Sequence, residues 1–161
     1  APYEMLTVDE HLEFIARAYR LSDGWRDYAD ELLKRMELDD KRDKLGRELS
    51  KGMQQKVSIC CALLPRPSML MLDEPLVGLD PHAIKGLKEM LAELREQGCA
   101  ILISTHMLDS VADFWDKTLI MMNGRIAAER TRSQVEQSGE NLEELFFSIT
   151  ESNPGTREIP D

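Results

Sequence analysis

Two adjacent carboxylates, Asp73 and Glu74, close the apolar run from Met69 to Leu72 and are followed at once by Pro75. The carboxyl end of a strand is where open α/β sheets place their ligands, and charges gathered there require a metal ion or a hydrogen-bond network. In phosphoryl-transfer sites an aspartate so placed holds Mg2+, and a neighbouring carboxylate orients or deprotonates an attacking water. An acidic turn ending an ordinary strand has the same composition, so the pair alone does not decide between the two. A second stretch, Leu49-Ser50-Lys51-Gly52, poses a related choice. Ser50 is a good helix N-cap; the first-turn N–H groups and the helix dipole make an anion site, Gly52 permits close approach, and Lys51 adds positive charge. Taken alone, a capped helix with Met53, Val57, Cys60 and Leu64 facing the core is the simpler account.

Ser104-Thr105-His106 closes the next apolar strand. An imidazole there could donate a hydrogen bond to a phosphate, although a lone histidine opening a helix is more often a cap or a surface group. His11 and His82 fall in that structural class. Between the two strands, Gly78-Leu79-Asp80-Pro81 reads as a helix start, with Asp80 as N-cap and Pro81 at the first helical position.

The elements that must position these groups are legible from periodicity. Thr7 and Glu10 form a capping box, and Val8, Leu12, Ile15, Ala16 and Tyr19 follow at helical spacing. A second helix is expected from about Arg26 to Met36, then a solvated charged connection from Asp39 to Lys44. An alternation follows: helix from Lys51 to about Leu64, strand Met69 to Leu72, helix from about His82 to Gln97, strand Ala100 to Ile103. Continuous apolar strands of this kind suit a parallel sheet covered by helices on both faces. Leu108, Val111, Ala112 and Trp115 mark a short helix, and Thr118 to Met122 a strand. Asn123-Gly124 predicts a tight hairpin turn to an antiparallel strand over Arg125 to Ala128. Short helices near Ser133 to Gln137 and Leu142 to Ile149, then a disordered tail from Glu151 to Asp161, complete the expectation.

Composition removes several classes of function. With 30 acidic against 20 basic residues the chain carries a net charge of -10, a field that opposes nucleic acid and anionic lipid. Its longest apolar run, Ile59 to Leu64, has six residues, against the roughly 20 that cross a bilayer. Ala1-Pro2-Tyr3-Glu4 does not read as a secretion signal. Cys60, Cys61 and Cys99 match neither a metal spacing nor a disulfide framework, and read as reduced, mostly buried thiols.

In order and spacing, Leu49 to Lys56, Leu70 to Pro75, Gly78 to Asp80 and Ser104 to His106 resemble the signature motif, Walker B strand, D-loop and H-loop of ATP-binding cassette (ABC) ATPases. The likeness extends to Leu6-Thr7-Val8-Asp9-Glu10-His11-Leu12, which resembles the start of that family's helical subdomain, and to the Met122 to Ile126 hairpin. It implies an α/β fold: a helical subdomain over residues 1–50, then a partial RecA-like P-loop NTPase core over 51–150, with 151–161 as tail. It implies ATP and Mg2+ as ligands, with Asp73 on the metal, Glu74 polarising the hydrolytic water and His106 on the γ-phosphate. Ser50, Lys51 and Gly52 would touch the γ-phosphate of a nucleotide held mainly by a second ABC ATPase subunit, and Asp80 would lie across the dimer interface. The partners implied are that subunit and a transmembrane permease, with no nucleic acid, and the place is cytoplasmic, peripheral on the inner face of the cell membrane. The alternatives are a soluble ABC-type ATPase of translation or DNA maintenance, and a non-catalytic module retaining the fold.

Two features depart from the family pattern. Where the family usually has Leu-Ser-Gly-Gly-Gln, this chain has Leu49-Ser50-Lys51-Gly52-Met53, a variation that resembles prokaryotic drug- and lipid-type exporters. No Gly-x-x-x-x-Gly-Lys loop occurs in the 161 residues, and Ala1 to Met5 contain no glutamine. The expectation is therefore a piece of a cassette that starts just after the Q-loop and, alone, neither binds ATP tightly nor hydrolyses it. Its unpaired sheet edges would favour self-association.

Overall fold

The computed structural model describes residues 2–151, which form two compact units, one ending at Thr105 and the other beginning at His106. The expected tail from residue 152 onward lies outside the described residues, while Glu151 itself ends a helix.

In the first unit, α1 (Val8–Ala18) starts where its capping box requires: Thr7 Oγ1 accepts the Glu10 N–H, and Glu10 accepts the Thr7 N–H at 2.7 Å. Helix α2 (Trp25–Arg35) follows; a 3-10 turn, Asp39–Lys41, lies within the charged connection expected from Asp39 to Lys44, and a second, Gly46–Glu48, comes just after it. Helix α3 (Lys51–Leu63) packs on both α1 and α2. Strand β1 (Met69–Asp73), helix α4 (Pro81–Glu96) and strand β2 (Ala100–Ser104) then form a parallel βαβ unit, with β1 and β2 paired in register from Met69↔Ala100 to Asp73↔Ser104. Helix α4 also packs on α2, and the Arg35 guanidinium holds both Glu93 carboxylate oxygens at 2.8 and 2.9 Å. The buried core is mainly aliphatic: Val8, Leu12, Leu33, Val57, Leu63 and Leu87 are fully enclosed, together with Met36 and Cys60.

The sheet departs from expectation in one respect. Helices on both faces were predicted, but exposure alternates along the strands: Leu70 is 5% exposed, whereas Met69, Met71 and Leu102 are 58%, 67% and 46% exposed. One face of β1–β2 is thus open among the described residues. A continuous apolar run looks the same whether one or both faces are covered, because its outward residues are apolar too.

In the second unit, α5 (Leu108–Val111) is one turn long and stops well before Trp115, whose indole N–H caps the Ala112 carbonyl at 3.2 Å. Strands β3 (Lys117–Met122) and β4 (Arg125–Thr131) form the expected antiparallel hairpin. Asn123 and Gly124 both take positive φ, 51° and 72°, as a primed two-residue turn demands. A register shift between Ile120 and Met121 lets β4 run on to Thr131, past the predicted Ala128. Helices α6 (Arg132–Ser138) and α7 (Leu142–Glu151) close over the hairpin around Ile120, Val135 and Leu145.

The one-sided sheet is testable with neighbouring residues. In the 161-residue chain, Leu70→Ala should cost about 2–5 kcal/mol, the penalty of a buried cavity. Met71→Ala should stay within about 0.5 kcal/mol, as an exposed truncation does. Urea unfolding of both variants measures this, and equal losses would mean the outer face is covered in solution.

Candidate functional site

Asp73 is the last residue of β1 and Ser104 the last of β2, so the parallel register sets them side by side. The Ser104 hydroxyl donates to Asp73 Oδ1. One residue further on, the Thr105 hydroxyl donates to Glu74 Oε2 at 3.0 Å, and the Glu74 N–H reaches the Ser104 carbonyl at 2.9 Å. Each carboxylate therefore takes a hydroxyl from the adjacent strand end, which supplies the network that two neighbouring negative charges require. Sequence reasoning named Ser104 and Thr105 as part of a motif without giving them this task.

Glu74 turns the chain out of the strand with φ +46°, the left-handed region that non-glycine residues seldom occupy. Such backbone persists when its surroundings over-determine it. Here the Ser104 carbonyl holds one side, and the Gln55 amide of α3 lies 3.5 Å from the Glu74 carbonyl and 3.3 Å from that of Pro75. Pro75 is fully buried.

At the start of α3, Ser50 adopts the extended N-cap conformation, and its Oγ accepts the Met53 N–H at 3.3 Å. A hydroxyl that accepts in this way keeps its own proton for a second partner. Lys51 is exposed at the first helical position. Gln54 fixes the preceding turn through the Gly46 carbonyl at 3.0 Å and that of Leu49 at 3.4 Å. Gly52 has a structural reason that the sequence did not disclose: a Cβ there would stand 2.6 Å from the Gly78 carbonyl oxygen.

Asp80 is engaged within its own chain. Oδ1 caps α4 through the Ala83 N–H at 3.0 Å, and Oδ2 lies 2.9 Å from Nζ of Lys56. These contacts, the cap first and Lys56 second, pull its carboxyl down to about 2. His106 is the first residue of the second unit, two positions beyond Ser104, and is exposed. His11 is structural, as expected: Nε2 accepts the Tyr3 N–H at 2.7 Å and Nδ1 meets the Thr7 carbonyl at 2.6 Å, while His82 is exposed. Of the thiols, Cys60 and Cys99 are buried, and desolvation raises Cys61 to about 11, which leaves it unreactive as a thiolate near neutrality.

No three His, Cys, Asp or Glu side chains gather into a metal cage among the described residues. Mg2+ typically keeps several waters and uses one or two carboxylates together with substrate phosphates. Asp73, an exposed carboxylate beside the Ser104 hydroxyl, fits that sparse donor set rather than a self-sufficient protein site.

Residues 3–77 match the protein family described as ABC transporter. The ABC-type transporter ATP-binding protein EcsA of Bacillus subtilis (strain 168) is 38% identical over 158 residues, 95% of this chain and 64% of EcsA. The SkfA peptide export ATP-binding protein SkfE of the same organism is 32% identical over 152 residues, 92% of this chain and 63% of SkfE. A solved ATP binding subunit of an ABC transporter superposes with a TM-score of 0.87 at 37% identity, covering 93% of this chain and 65% of that one. The chain belongs to the ATP-binding cassette family of ABC transporters. It spans about two thirds of the length of these relatives, 64% of EcsA and 63% of SkfE, and its fold is the α/β, partial RecA-like arrangement expected from the sequence.

Two outcomes follow from this geometry. Gly52→Ala should destabilise the chain by about 1–3 kcal/mol in urea unfolding, because the intruding methyl meets backbone rather than a movable side chain. Asp80 has a folded-state pKa near 2, against about 3.9 for free aspartate, so the stability it contributes is present above that unfolded value and is lost as pH falls through 2. Asp80→Asn should therefore be less stable than wild type at about pH 5, and the two should converge near pH 2.

Proposed function

We propose that this chain is part of the ATP-hydrolysing subunit of an ABC transporter. The observation that carries the proposal is the joining, within one unit, of a capped helix N-terminus at Ser50 to a strand-end carboxylate pair, Asp73 and Glu74, steadied by Ser104 and Thr105. In this reading residues 1–50 serve as the helical subdomain and 51–150 as half of the nucleotide-binding core.

Each residue then has a task that follows from its position. Glu74, exposed enough to meet solvent and held by Thr105, orients and polarises the water that attacks the γ-phosphate. Asp73 with Ser104 would hold Mg2+, which supplies charge neutralisation to the transferring phosphoryl group. The Ser50 hydroxyl, the Lys51 ammonium and the first-turn amides around Gly52 bind phosphate oxygens of a nucleotide held mainly by a second subunit. On the family resemblance alone, His106 would add a hydrogen bond to the γ-phosphate and Asp80 would stand at the subunit boundary. The transported substrate enters through a membrane-spanning permease, on whose cytoplasmic side this subunit works; among the described residues, no helix is long and apolar enough to cross a membrane.

The test uses a protein that carries this sequence together with a phosphate-binding loop. Glu74→Gln preserves shape and the acceptor to Thr105 while removing the base, so phosphate release should fall by about 10²–10⁴-fold. Nucleotide binding, measured by fluorescence titration, should persist. Wild-type turnover in that variant would remove Glu74 from the chemistry.

A further inference from the structure

Lys56 ends the signature-like stretch and has so far entered only as the partner of Asp80, yet its environment is unusual for its type. Its side chain is only 10% exposed, and lysine is almost never so enclosed unless paired. The ammonium lies 2.9 Å from Asp80 Oδ2, with Glu37 Oε2 at 3.7 Å on the other side. A buried charge of this kind contributes little net stability, because desolvation offsets the attraction, whereas removing one partner leaves the other stranded. Such a pair is better suited to holding two segments in one arrangement than to adding stability.

The two segments are identifiable. Positions 52, 55 and 56 lie three and four apart on α3 and so share one helical face. Gly52 meets the Gly78 carbonyl, Gln55 donates toward the carbonyls of Glu74 and Pro75, and Lys56 binds Asp80. All three thus address the single connection from Glu74 to Asp80. At its first end that connection carries the carboxylate turn; at its last, Asp80 caps α4.

We propose that Lys56 is a positioning residue: by binding Asp80 it clamps the 74–80 connection to α3, so that the helix-terminal anion site and the Glu74 carboxylate are held at a fixed separation. The inference rests on the reading of Glu74 as the water-polarising group. Lys56 touches neither nucleotide nor water; it acts through Asp80 and the backbone between. Loss of the clamp should therefore lower kcat more than it raises KM.

Two measurements test this on the protein that carries this sequence with a phosphate-binding loop. In steady-state kinetics, Lys56→Met should lower kcat by about 10-fold or more, since small misplacements of a catalytic group cost up to about 10²-fold. Lys56→Arg, which keeps the charge and reach, should restore most of it. Asp80→Asn retains a capping side chain but lacks the ion pair, so at a temperature where circular dichroism shows it folded it should show the same loss, and the double variant should lose no more than either single one. A Lys56→Met enzyme with wild-type kcat, or additive losses in the double variant, would overturn the proposal. Hydrogen exchange gives an independent reading: Lys56→Met should speed exchange of the amides between Leu76 and Ile84 while leaving α1 unchanged. Unchanged exchange there would also overturn it. If the exchange responds but wild type and Glu74→Gln release phosphate equally, the clamp stands and the role given to Glu74 falls.

Discussion

The site depends on how closely α3 approaches the connection that leaves β1. At Gly52 a methyl group would lie 2.6 Å from the Gly78 oxygen, well inside the carbon-to-oxygen distance of about 3.3–3.6 Å that unstrained contacts show. Only a residue without a side chain admits this approach. Because the helix sits so near, Gln55 can reach the carbonyls of Glu74 and Pro75, and Lys56 can reach Asp80 without bending out into solvent. The glycine expected to leave room for a phosphate thus also brings the helix against its own chain. Both uses draw on the same absence of a side chain.

That closeness also accounts for the backbone at Glu74. A left-handed glutamate before a proline is unfavourable by itself, although the Val77 N–H closes a local turn on its carbonyl at 3.3 Å. Its amide is satisfied across the sheet by Ser104 and its carbonyl is also approached by Gln55 at 3.5 Å, so strand pairing and helix packing reinforce the turn. The consequence is chemical. With the backbone twisted out of the strand, consecutive carboxylates take different hydroxyls, Asp73 that of Ser104 and Glu74 that of Thr105. Two adjacent acids with distinct partners can serve two purposes.

Much of this was legible in the amino-acid order because the signals were local. The Thr7 to Glu10 box, the Ser50 and Asp80 caps and the Asn123-Gly124 turn each act within four residues, and each stands where expected. The positions of Asp73 and Glu74 at a strand end followed from the apolar run before them. What escaped was set by residues distant in sequence: the burial of Lys56 against Asp80, the hydroxyls facing the carboxylates across 31 positions, and the second task of Gly52. The one-turn length of α5 escaped for a different reason, since its apolar spacing continues through Ala112 and Trp115 while the backbone tightens to three-residue turns, the Phe114 N–H meeting the Val111 carbonyl at 2.9 Å. The open face of the sheet escaped because methionine and leucine look the same in a string whichever way they point.

Parallel pairing of β1 with β2 gives the hydroxyl-to-acid matches a particular vulnerability. Side chains alternate between faces with a period of two, so sliding one strand by a single position would set Ile103 rather than Ser104 beside Asp73 and turn the facing residues over. The ladder therefore behaves as a vernier, with helix α4 as the arm that sets it: deleting or inserting one residue between Pro81 and Cys99 would misalign a site that it does not touch. The length of that crossover is part of the chemistry, because it sets which hydroxyl each carboxylate meets.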